Sequence, residues 1–439
     1  MRVLSDGILH LGKILAMADD RKIKILTLSD HPMLPSGVAT QTKYIIEALL
    51  KSGKFQIYSL AGAIAHPDYN MTKTNEWGDD WIIQPVDAYG NAVQIRNVMY
   101  NWKPDILYFM TDPRFYGWLW QMEDEIRWAV PMIYYHVWDN KPYPKYNARW
   151  YESNDKIATI SKVTSDIVQN VSPGVDEEYL PHAVNTDIFK KLTEPEHTQA
   201  IRKIKKDNFG AEGKFIFFWN NRNARRKQSG TLIFWFKQFL DKVGHDKAVL
   251  LMHTNPQDEH GQPLDFLASE LGLTQREVMF SKEKLPAPDL NLLYNVADCT
   301  INISDAEGFG LGTLESLSAE TPIIVTMTGG LQEQVTDGKN WFGVGIEPSS
   351  RAIIGSQTVP YIYEDRINEG EFVDALVKLY EMPKEEREKL GKAGREHVMK
   401  NYNFEKFNER WVQVMLELYE KHGSWNTRKN YAPWRYVEL

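Results

Sequence analysis

The stretch EGFGLGTLESLSAETP, residues 307–322, carries the most information about the fold of this chain. It follows the strand-like run CTINIS and leads into a helical pattern that begins near Leu311. Gly308, Gly310 and Gly312 let a ligand come close to the backbone, and the free N–H groups of a helix start suit a phosphate or diphosphate. The stretch therefore predicts an anion site of nucleotide size at the end of a strand.

The spacing of these glycines differs from that of two familiar nucleotide sites. They do not form the G-x-G-x-x-G of dinucleotide enzymes, and the chain has no G-x-x-x-x-G-K-[ST] phosphate loop. Glu307 lies in the loop, and Glu315 follows on the first helical turns. Because a carboxylate repels a phosphate, we expect both to accept hydrogen bonds from sugar hydroxyls, which implies two sugars. The alternative is that both are helix-start carboxylates favoured by the helix dipole.

A basic loop, NNRNARRKQSG at residues 220–230, follows the strand-like run KFIFFW. Its cations, Arg222, Arg225, Arg226 and Lys227, lie where a strand ends, which is the usual ligand edge of an open parallel sheet. Cations there can neutralise a leaving diphosphate without a metal or a nucleophile. The alternative for any of them is a solvated basic turn, and Arg225 is left unassigned.

Short apolar runs alternate with helical patterns along most of the chain. Near-continuous apolar runs indicate strands covered on both faces, as in a parallel sheet wrapped by helices. The first series reads KIKILTLS, FQIYSLA, DILYFM, MIYYHV and KIATIS, and the second reads KFIFFW, AVLLMHT, EVMFS, CTINIS and PIIVT. We therefore predict an α/β protein with two Rossmann-like parallel-sheet domains that face each other across a cleft.

A charged stretch poor in apolar residues, 189–213, predicts the connector between the two domains. It places an N-terminal, acceptor-side domain at residues 1–200 and a donor domain at 201–403. A C-terminal helix and tail follow at 404–439.

Two later segments stand apart from the strand and helix series. The Ser, Pro and Gly content of residues 349–366 interrupts the alternation of strand-like and helical stretches. It predicts a long ordered loop or lid. The last helix, about residues 405–421, has an apolar face that needs a surface to cover. That face consists of Phe407, Trp411, Val414, Met415 and Leu418.

In the first domain, two residues follow or end predicted strands. Gly37 comes after the first strand and opens a helical pattern, where it permits close approach of phosphate or acceptor. His136 ends the run MIYYHV, at an edge that would face the cleft, although a lone histidine is more often structural. The carboxylates Asp79, Asp80 and Asp112 lack the grouped spacing of a metal site, so we expect no required metal.

Composition narrows the protein's surroundings and partners. The 439 residues carry a formal net charge of −8, which argues against nucleic acid as a partner. Cys299 is the only cysteine, so an intramolecular disulfide is excluded and a reducing cytoplasm fits best. The apolar residues 8–18 predict a short amphipathic lead-in helix, and no run approaches the roughly 20 apolar residues of a membrane span. Any membrane contact would be peripheral.

Together, these motifs resemble glycosyltransferase family 4, retaining enzymes of the GT-B fold related to glycogen synthase and bacterial mannosyltransferases. EGFGLGTLE is similar to the family's E-x7-E motif, and ETPIIVTMTGGLQEQVTDGKNWFG resembles its continuation, with Gly329, Gly330 and Glu333 in place. YLPHAVNTDIF resembles the sequence segment that the family has at the boundary between its domains, with Ala183 where glycine is usual.

The resemblance implies a role for each candidate residue. Arg222 and Lys227 would hold the donor diphosphate. Glu307 would contact the donor sugar and Glu315 the ribose, while His136 would face the reacting centre. The other implied donor contacts are Gly37, Gly308, Phe309, Gly310 and Leu311.

The resemblance also implies a metal-independent reaction without a cofactor, in which a nucleotide sugar such as UDP- or GDP-hexose is the donor. Transfer would retain the anomeric configuration through front-side displacement, and the leaving phosphate would help to deprotonate the acceptor. Gly312 replaces a common proline and Glu320 a frequent glycine, so the donor-sugar pocket is expected to have its own shape.

The alternatives are a GT-B epimerase or phosphorylase, or a carbohydrate-binding homologue without turnover. A phosphorylase would need a pyridoxal-phosphate lysine, which we do not identify here. The sequence does not identify the acceptor, which we expect to be a glycan, a lipid or a small molecule, and it predicts no particular oligomeric state.

Overall fold

The computed structural model describes residues 21–209, 213–274 and 276–432. It contains two open sheets of mostly parallel strands, each wrapped by helices, so the predicted α/β class with two parallel-sheet domains is confirmed. The lead-in helix predicted for residues 8–18 lies outside the described residues.

The first sheet has eight strands, and all neighbouring pairs run parallel except the third and fourth in chain order. They are β1 Ile23–Asp30, β2 Phe55–Gly62, β3 Thr72–Lys73, β4 Trp81–Pro85, β5 Ile106–Met110, β6 Met132–His136, β7 Lys156–Thr159 and β8 Glu177–Tyr179. Their spatial order is β3-β4-β2-β1-β5-β6-β7-β8. All five runs predicted as strands here lie in this sheet; β3, β4 and β8 were not predicted.

Within the described part of the chain, six α-helices accompany this sheet. They are α1 Gly37–Lys51, α2 Ala92–Asn101, α3 Gly117–Trp120, α4 Glu123–Ala129, α5 Ala148–Glu152 and α6 Lys162–Val171. Helix α1 begins after Ser36, whose hydroxyl accepts a hydrogen bond from the Ala39 N–H at 3.0 Å, as a helix N-cap does. Ile45, Ile46 and Leu49 form its buried face against the sheet.

The second sheet has six strands, all parallel. They are β9 Phe215–Asn220, β10 Ala248–His253, β11 Val278–Ser281, β12 Cys299–Asn302, β13 Ile323–Thr326 and β14 Gly343–Ile346, in the spatial order β11-β10-β9-β12-β13-β14. Its helices are α7 Pro195–Phe209, α8 Ser229–Val243, α9 Leu264–Glu270, α10 Ala287–Val296, α11 Leu311–Ser318, α12 Leu331–Val335, α13 Glu369–Glu381 and α14 Lys384–Asn401. Helix α7 occupies most of the predicted connector and packs against α10.

The prediction of a long loop or lid at residues 349–366 is wrong. Two antiparallel strands, β15 Ser350–Ile354 and β16 Ile362–Arg366, form a hairpin there. Most of its residues are exposed or half-buried, so neither strand needs the continuous apolar run that identifies a buried strand.

Helix α15, Phe404–His422, returns from the second sheet to the first and packs against α1. All five residues of its predicted apolar face are buried. Trp411 meets the rings of Tyr108 and Tyr135 edge-on, with centroids 5.8 and 4.8 Å away. One continuous apolar cluster includes residues of both sheets, such as Ile25 of β1 and Ile216 of β9. None of the helices described is long and apolar enough to cross a membrane.

Candidate functional site

The glycine-rich loop after β12 lies against the first domain. A Cβ atom on Gly308 would be 3.2 Å from the carbonyl oxygen of Val137, which follows β6. A Cβ atom on Gly37, the first residue of α1, would be 3.2 Å from Cδ1 of Leu311, the first residue of α11. The starts of these two helices therefore face each other across the junction of the domains.

Backbone packing explains why two positions in this region require glycine. Gly310 has a φ of +92°, in the left-handed region that side chains rarely adopt. Gly329 has a φ of +48°, and a Cβ atom there would lie 1.8 Å from the carbonyl oxygen of Glu307. The segment after β13 thus presses directly on the loop that holds Glu307, and the Gly330 N–H donates to that same carbonyl oxygen at 3.0 Å.

Lys227 and Glu307, both predicted as site residues, form a buried ion pair between the basic loop and the glycine-rich loop. Each residue is 8% exposed. Asn302 donates a further hydrogen bond to the Glu307 carboxylate at 3.3 Å. Burial alone would raise the pKa of Glu307, but the charges of Lys227 and Arg226 hold it below its usual value. Burial lowers the pKa of Lys227, against the effect of Glu307. The pair is a fixed charge site at the ends of β9 and β12.

Two charged residues without an assigned role also belong to this site. Arg226 donates to the Ala306 carbonyl, and its own carbonyl accepts from the Asp305 N–H at 2.8 Å. Asp139, in the first-domain loop after β6, has its pKa raised to about 6, mainly by burial, while Arg226 lowers it and Glu307 raises it. Asp139 follows the end of a predicted strand, so the sequence contained a signal that it lies at the ligand edge of the sheet. Its approach to Glu307, however, depends on how the two domains dock.

The other two arginines of the basic loop are engaged elsewhere. Arg222 forms a bidentate pair with Asp258, with nitrogen–oxygen distances of 2.8 and 3.2 Å, and a contact with His260 at 3.0 Å. Arg225 pairs with Glu364 of the hairpin at 2.8 Å. The structure therefore does not bring Arg222 into contact with Glu307, and its role toward a diphosphate stays a prediction.

Glu315, the second predicted carboxylate, lies on the first turns of α11. It accepts a hydrogen bond from the Tyr294 hydroxyl at 2.6 Å, and that hydroxyl accepts one from the Asn220 amide at 2.8 Å. Burial raises the pKa of Glu315 to about 7. Tyr44 of α1 is close enough for the charge of Glu315 to raise the pKa of its hydroxyl, although burial is the larger cause. Glu315 is thus linked through Tyr294 to the end of β9, and it lies near α1 of the first domain.

His136 is the last residue of β6 and is fully buried. Its Nε2 lies 2.8 Å from the Tyr151 hydroxyl, and its ring packs on Tyr134 with centroids 4.9 Å apart. Burial lowers its pKa to about 3, so the imidazole is neutral. Because alternate residues of a strand share a face, His136 lies beside Tyr134 within the aromatic core of the first domain. A role at the reacting centre stays a prediction.

Phe309 contributes its side chain to the junction of the domains. Its ring is 3% exposed and packs edge-on against His182 and Tyr402, with centroids 5.1 and 5.7 Å away. Its carbonyl oxygen accepts from the Gln334 amide at 2.7 Å, so this backbone group is already engaged.

Glu333 forms hydrogen bonds between the two domains, close to the glycine-rich loop. Its carboxylate accepts from the Lys162 N–H at 2.6 Å and from the Tyr179 hydroxyl at 2.5 Å, both in the first domain. The Tyr402 hydroxyl lies 3.2 Å from the same carboxylate. The glycine-rich loop is therefore supported by a hydrogen-bonded contact between the domains.

Glu320, which stands where the resembled family often has glycine, has a φ of +63°. That conformation favours glycine, which accounts for the usual residue. Across residues 21–209, 213–274 and 276–432, no group of three or more His, Cys, Asp or Glu is arranged to hold a metal ion.

Comparison with known proteins identifies the second half of the chain. Residues 200–397 match the family model described as Glycosyl transferases group 1. This region resembles a glycosyltransferase group 1 domain, a domain of transferase enzymes. A D-inositol 3-phosphate glycosyltransferase of Corynebacterium urealyticum is 40% identical over 82 residues, which cover 19% of each chain.

A GDP-mannose-dependent alpha-(1-6)-phosphatidylinositol monomannoside mannosyltransferase of Mycolicibacterium smegmatis is 27% identical over 193 residues, covering 42% of this chain and 47% of that protein. The chain thus matches less than half of the length of these curated relatives.

Solved structures match the whole architecture. Sucrose-phosphate synthase of Thermosynechococcus elongatus superposes with a TM-score of 0.71 at 17% identity, covering 91% of this chain and 100% of that one. HepE of Anabaena, solved in complex with UDP and glucose, has a TM-score of 0.65 at 15% identity, covering 90% and 99%. The two-domain architecture is the GT-B fold.

Proposed function

We propose that this protein transfers a hexose from a nucleotide sugar to an acceptor hydroxyl with retention of the anomeric configuration. The acceptor oxygen bonds to the anomeric carbon while the bond from that carbon to the diphosphate oxygen breaks. The acceptor's proton passes to the leaving phosphate, and the nucleoside diphosphate departs. The observation that carries the proposal is the buried Lys227–Glu307 pair beside the glycine-rich loop, at the edge where the two domains meet.

Charge accumulates on the diphosphate as its bond to the sugar breaks, and this chain's cations can offset it. Lys227 is buried and Arg226 is adjacent, so the two provide positive charge in a site partly shielded from water. Backbone N–H groups at the starts of α1 and α11 add donors that suit phosphate oxygens. We propose on this basis that the reaction requires no metal ion, and that Arg222 joins the site when it leaves Asp258.

The carboxylates would divide the donor between them. Glu307 is held in its ionised form by Lys227 and Arg226, so it can accept hydrogen bonds from the hexose hydroxyls. Glu315, which is linked through Tyr294 to the end of β9, would accept a hydrogen bond from the ribose. Gly37 and Gly308 let the two domains come together beside these carboxylates, because a Cβ atom on either would lie 3.2 Å from an atom of the facing domain. We propose that their backbone also contacts the donor.

The names of the similar proteins support the substrate class. One relative is named for GDP-mannose as donor, and one structural neighbour was solved with UDP and glucose. We therefore propose a UDP- or GDP-hexose as donor and a glycan, a lipid or a small molecule as acceptor. The buried, single Cys299 is compatible with action in a reducing cytoplasm.

The test is release of nucleoside diphosphate from a panel of UDP- and GDP-hexoses without acceptor, followed by phosphorus NMR. Slow hydrolysis of one donor is expected, because water can replace the acceptor. Lys227→Ala should abolish it, whereas Lys237→Ala, which removes an ammonium on the surface of α8, should not. Binding of a donor without any hydrolysis or transfer would favour the carbohydrate-binding alternative and contradict the proposal.

A further inference from the structure

A cavity lies next to the Glu307 loop, at the ends of β13 and β14. We call it the hairpin pocket; its volume is about 460 Å³, within the roughly 300–1,000 Å³ of small-molecule sites. Its walls are residues 139–143 of the first domain, the segment 327–329 after β13, and the hairpin residues Arg351, Tyr363 and Asp365.

Hydrogen bonds hold these three walls together. The Asn140 amide donates to the Tyr363 carbonyl at 2.9 Å, and the Tyr363 N–H donates to the Lys141 carbonyl at 2.5 Å. Thr328 donates to the Asp365 carboxylate at 2.7 Å. The hairpin is thus attached both to the first domain and to the end of β13, so the pocket is a built feature and not a gap beneath a loose loop.

The charges that line the pocket favour an uncharged ligand. Arg351 pairs with Asp365 at 3.0 Å, and Lys141 pairs with Asp166, which lies outside the pocket, at 2.6 Å. Both cations of the lining are therefore engaged by carboxylates. The lining also contains the carboxylates of Asp139 and Glu347, which would repel an anion.

The remaining lining groups suit a polyhydroxylated molecule. Asn140, Gln332 and Thr328 offer amide and hydroxyl groups, which can donate and accept hydrogen bonds with sugar hydroxyls. Tyr143 is 37% exposed, with the Lys141 ammonium 4.7 Å from the centre of its ring, and Tyr363 lines the same cavity. The uncovered parts of these two rings offer aromatic surface for the apolar face of a sugar ring.

The pocket also lies beside the proposed reaction centre. Gly329 lines it and packs against the carbonyl of Glu307, and Asp139 lines it while its carboxyl responds to the charges of Glu307 and Arg226. Along the second sheet, Glu315 is linked through Tyr294 to Asn220 at the end of β9, whereas the pocket is at the ends of β13 and β14. A donor that spans from Glu315 to Glu307 would leave this pocket open for the second substrate.

We infer that the hairpin pocket binds an uncharged saccharide or polyol portion of the acceptor. This inference rests on the proposed function, because it assigns the hexose to Glu307 and the acceptor to the next cavity. In this arrangement, the hairpin forms one wall of the acceptor site.

The experiment measures binding of glucose, maltose, myo-inositol and glucose 6-phosphate by saturation-transfer NMR, with the protein saturated with UDP or GDP. At least one uncharged probe should bind more tightly than glucose 6-phosphate. Its dissociation constant should rise about three- to tenfold in Tyr143→Ala, as expected for loss of an aromatic contact. Tyr100→Ala, which removes an exposed tyrosine of α2, should leave it unchanged.

Nucleoside-diphosphate affinity and donor hydrolysis are measured in the same variants, and Tyr100→Ala should leave both unchanged. If no uncharged probe binds, if Tyr143→Ala binds it as the wild type does, or if glucose 6-phosphate binds more tightly, the inference is overturned while the donor chemistry stands. If the wild type neither binds nor hydrolyses any donor, the proposed function fails, whatever the pocket binds.

Discussion

Replacing Glu307 with glutamine tests the central charge pair most directly. Glutamine keeps the size of the side chain and one oxygen that Lys227 can donate to, but it removes the negative charge. Both residues are 8% exposed, so water can replace little of the lost interaction. Arg226 lies close enough to lower the pKa of Lys227, which adds repulsion once Glu307 is neutral.

The expected loss follows from this burial. A hydrogen bond to a charged group contributes about 1.5–3 kcal/mol, and deleting one partner of a buried pair costs about 3–5 kcal/mol. Because glutamine retains the hydrogen bond, we expect about 2 kcal/mol of destabilisation. For a domain of about 150–250 residues, this lowers the midpoint of thermal unfolding by about 4–8 °C.

A bound diphosphate should narrow this difference, since it returns negative charge to Lys227. Thermal unfolding of wild type and Glu307→Gln is followed with and without saturating UDP or GDP. Glu381→Gln, an exposed carboxylate at the end of α13, serves as the control and should match the wild type. An unfolding midpoint of Glu307→Gln equal to the control's would refute the energetic role of the pair. A difference that diphosphate leaves unchanged would remove Lys227 from the anion site.

Three further outcomes are expected. Arg226→Ala should weaken nucleoside-diphosphate binding about tenfold in calorimetry, as loss of a charge-assisted hydrogen bond does. Asp258→Ala, which frees Arg222, should strengthen this binding. Weaker binding in Asp258→Ala would exclude Arg222 from the diphosphate site. Because burial raises the pKa of Glu315 from 4.5 to about 7, its contribution to stability is present below pH 4.5 and is lost as the pH rises through about 7. Glu315→Gln should flatten that part of the curve of unfolding free energy against pH, and an unaltered slope would contradict the burial of the carboxyl. Treatment with EDTA should leave donor turnover within about twofold; a loss restored by Mn²⁺ would contradict the metal-free mechanism.

The strands that could be predicted are those with continuous apolar runs, because burial on both faces requires them. All ten such runs are strands. The sequence signal failed where burial is partial: β8 is only half-buried, and β15 and β16 form a largely exposed hairpin. Residues 189–213 contain a helix in which Phe209 is buried and Ile201 and Ile204 are partly buried against the core. With so few apolar residues, its pattern resembles a charged connector.

The candidate site could be predicted in part for a similar reason. Glu307 and Lys227 each follow a strand of one sheet, and parallel strands bring their carboxyl ends to one edge, so their contact follows from local order. The engagement of Asp139 depends on the docking of two domains, which no local pattern specifies. Strand position alone was also insufficient for His136, because the alternation of side chains places its ring beside Tyr134.

The return of α15 to the first domain affects the order in which the chain can fold during synthesis. Trp411 fills the space between Tyr108 and Tyr135, and beyond it Ser424 donates to Asp105 at 2.6 Å. The first sheet is fully synthesised at Tyr179, but these partners emerge only after the whole second sheet. At about 5–20 residues per second, the ribosome needs on the order of ten to fifty seconds for that interval. During this time the part of the first sheet that α15 covers lacks its partner helix, and such exposed apolar surface promotes aggregation of a nascent chain.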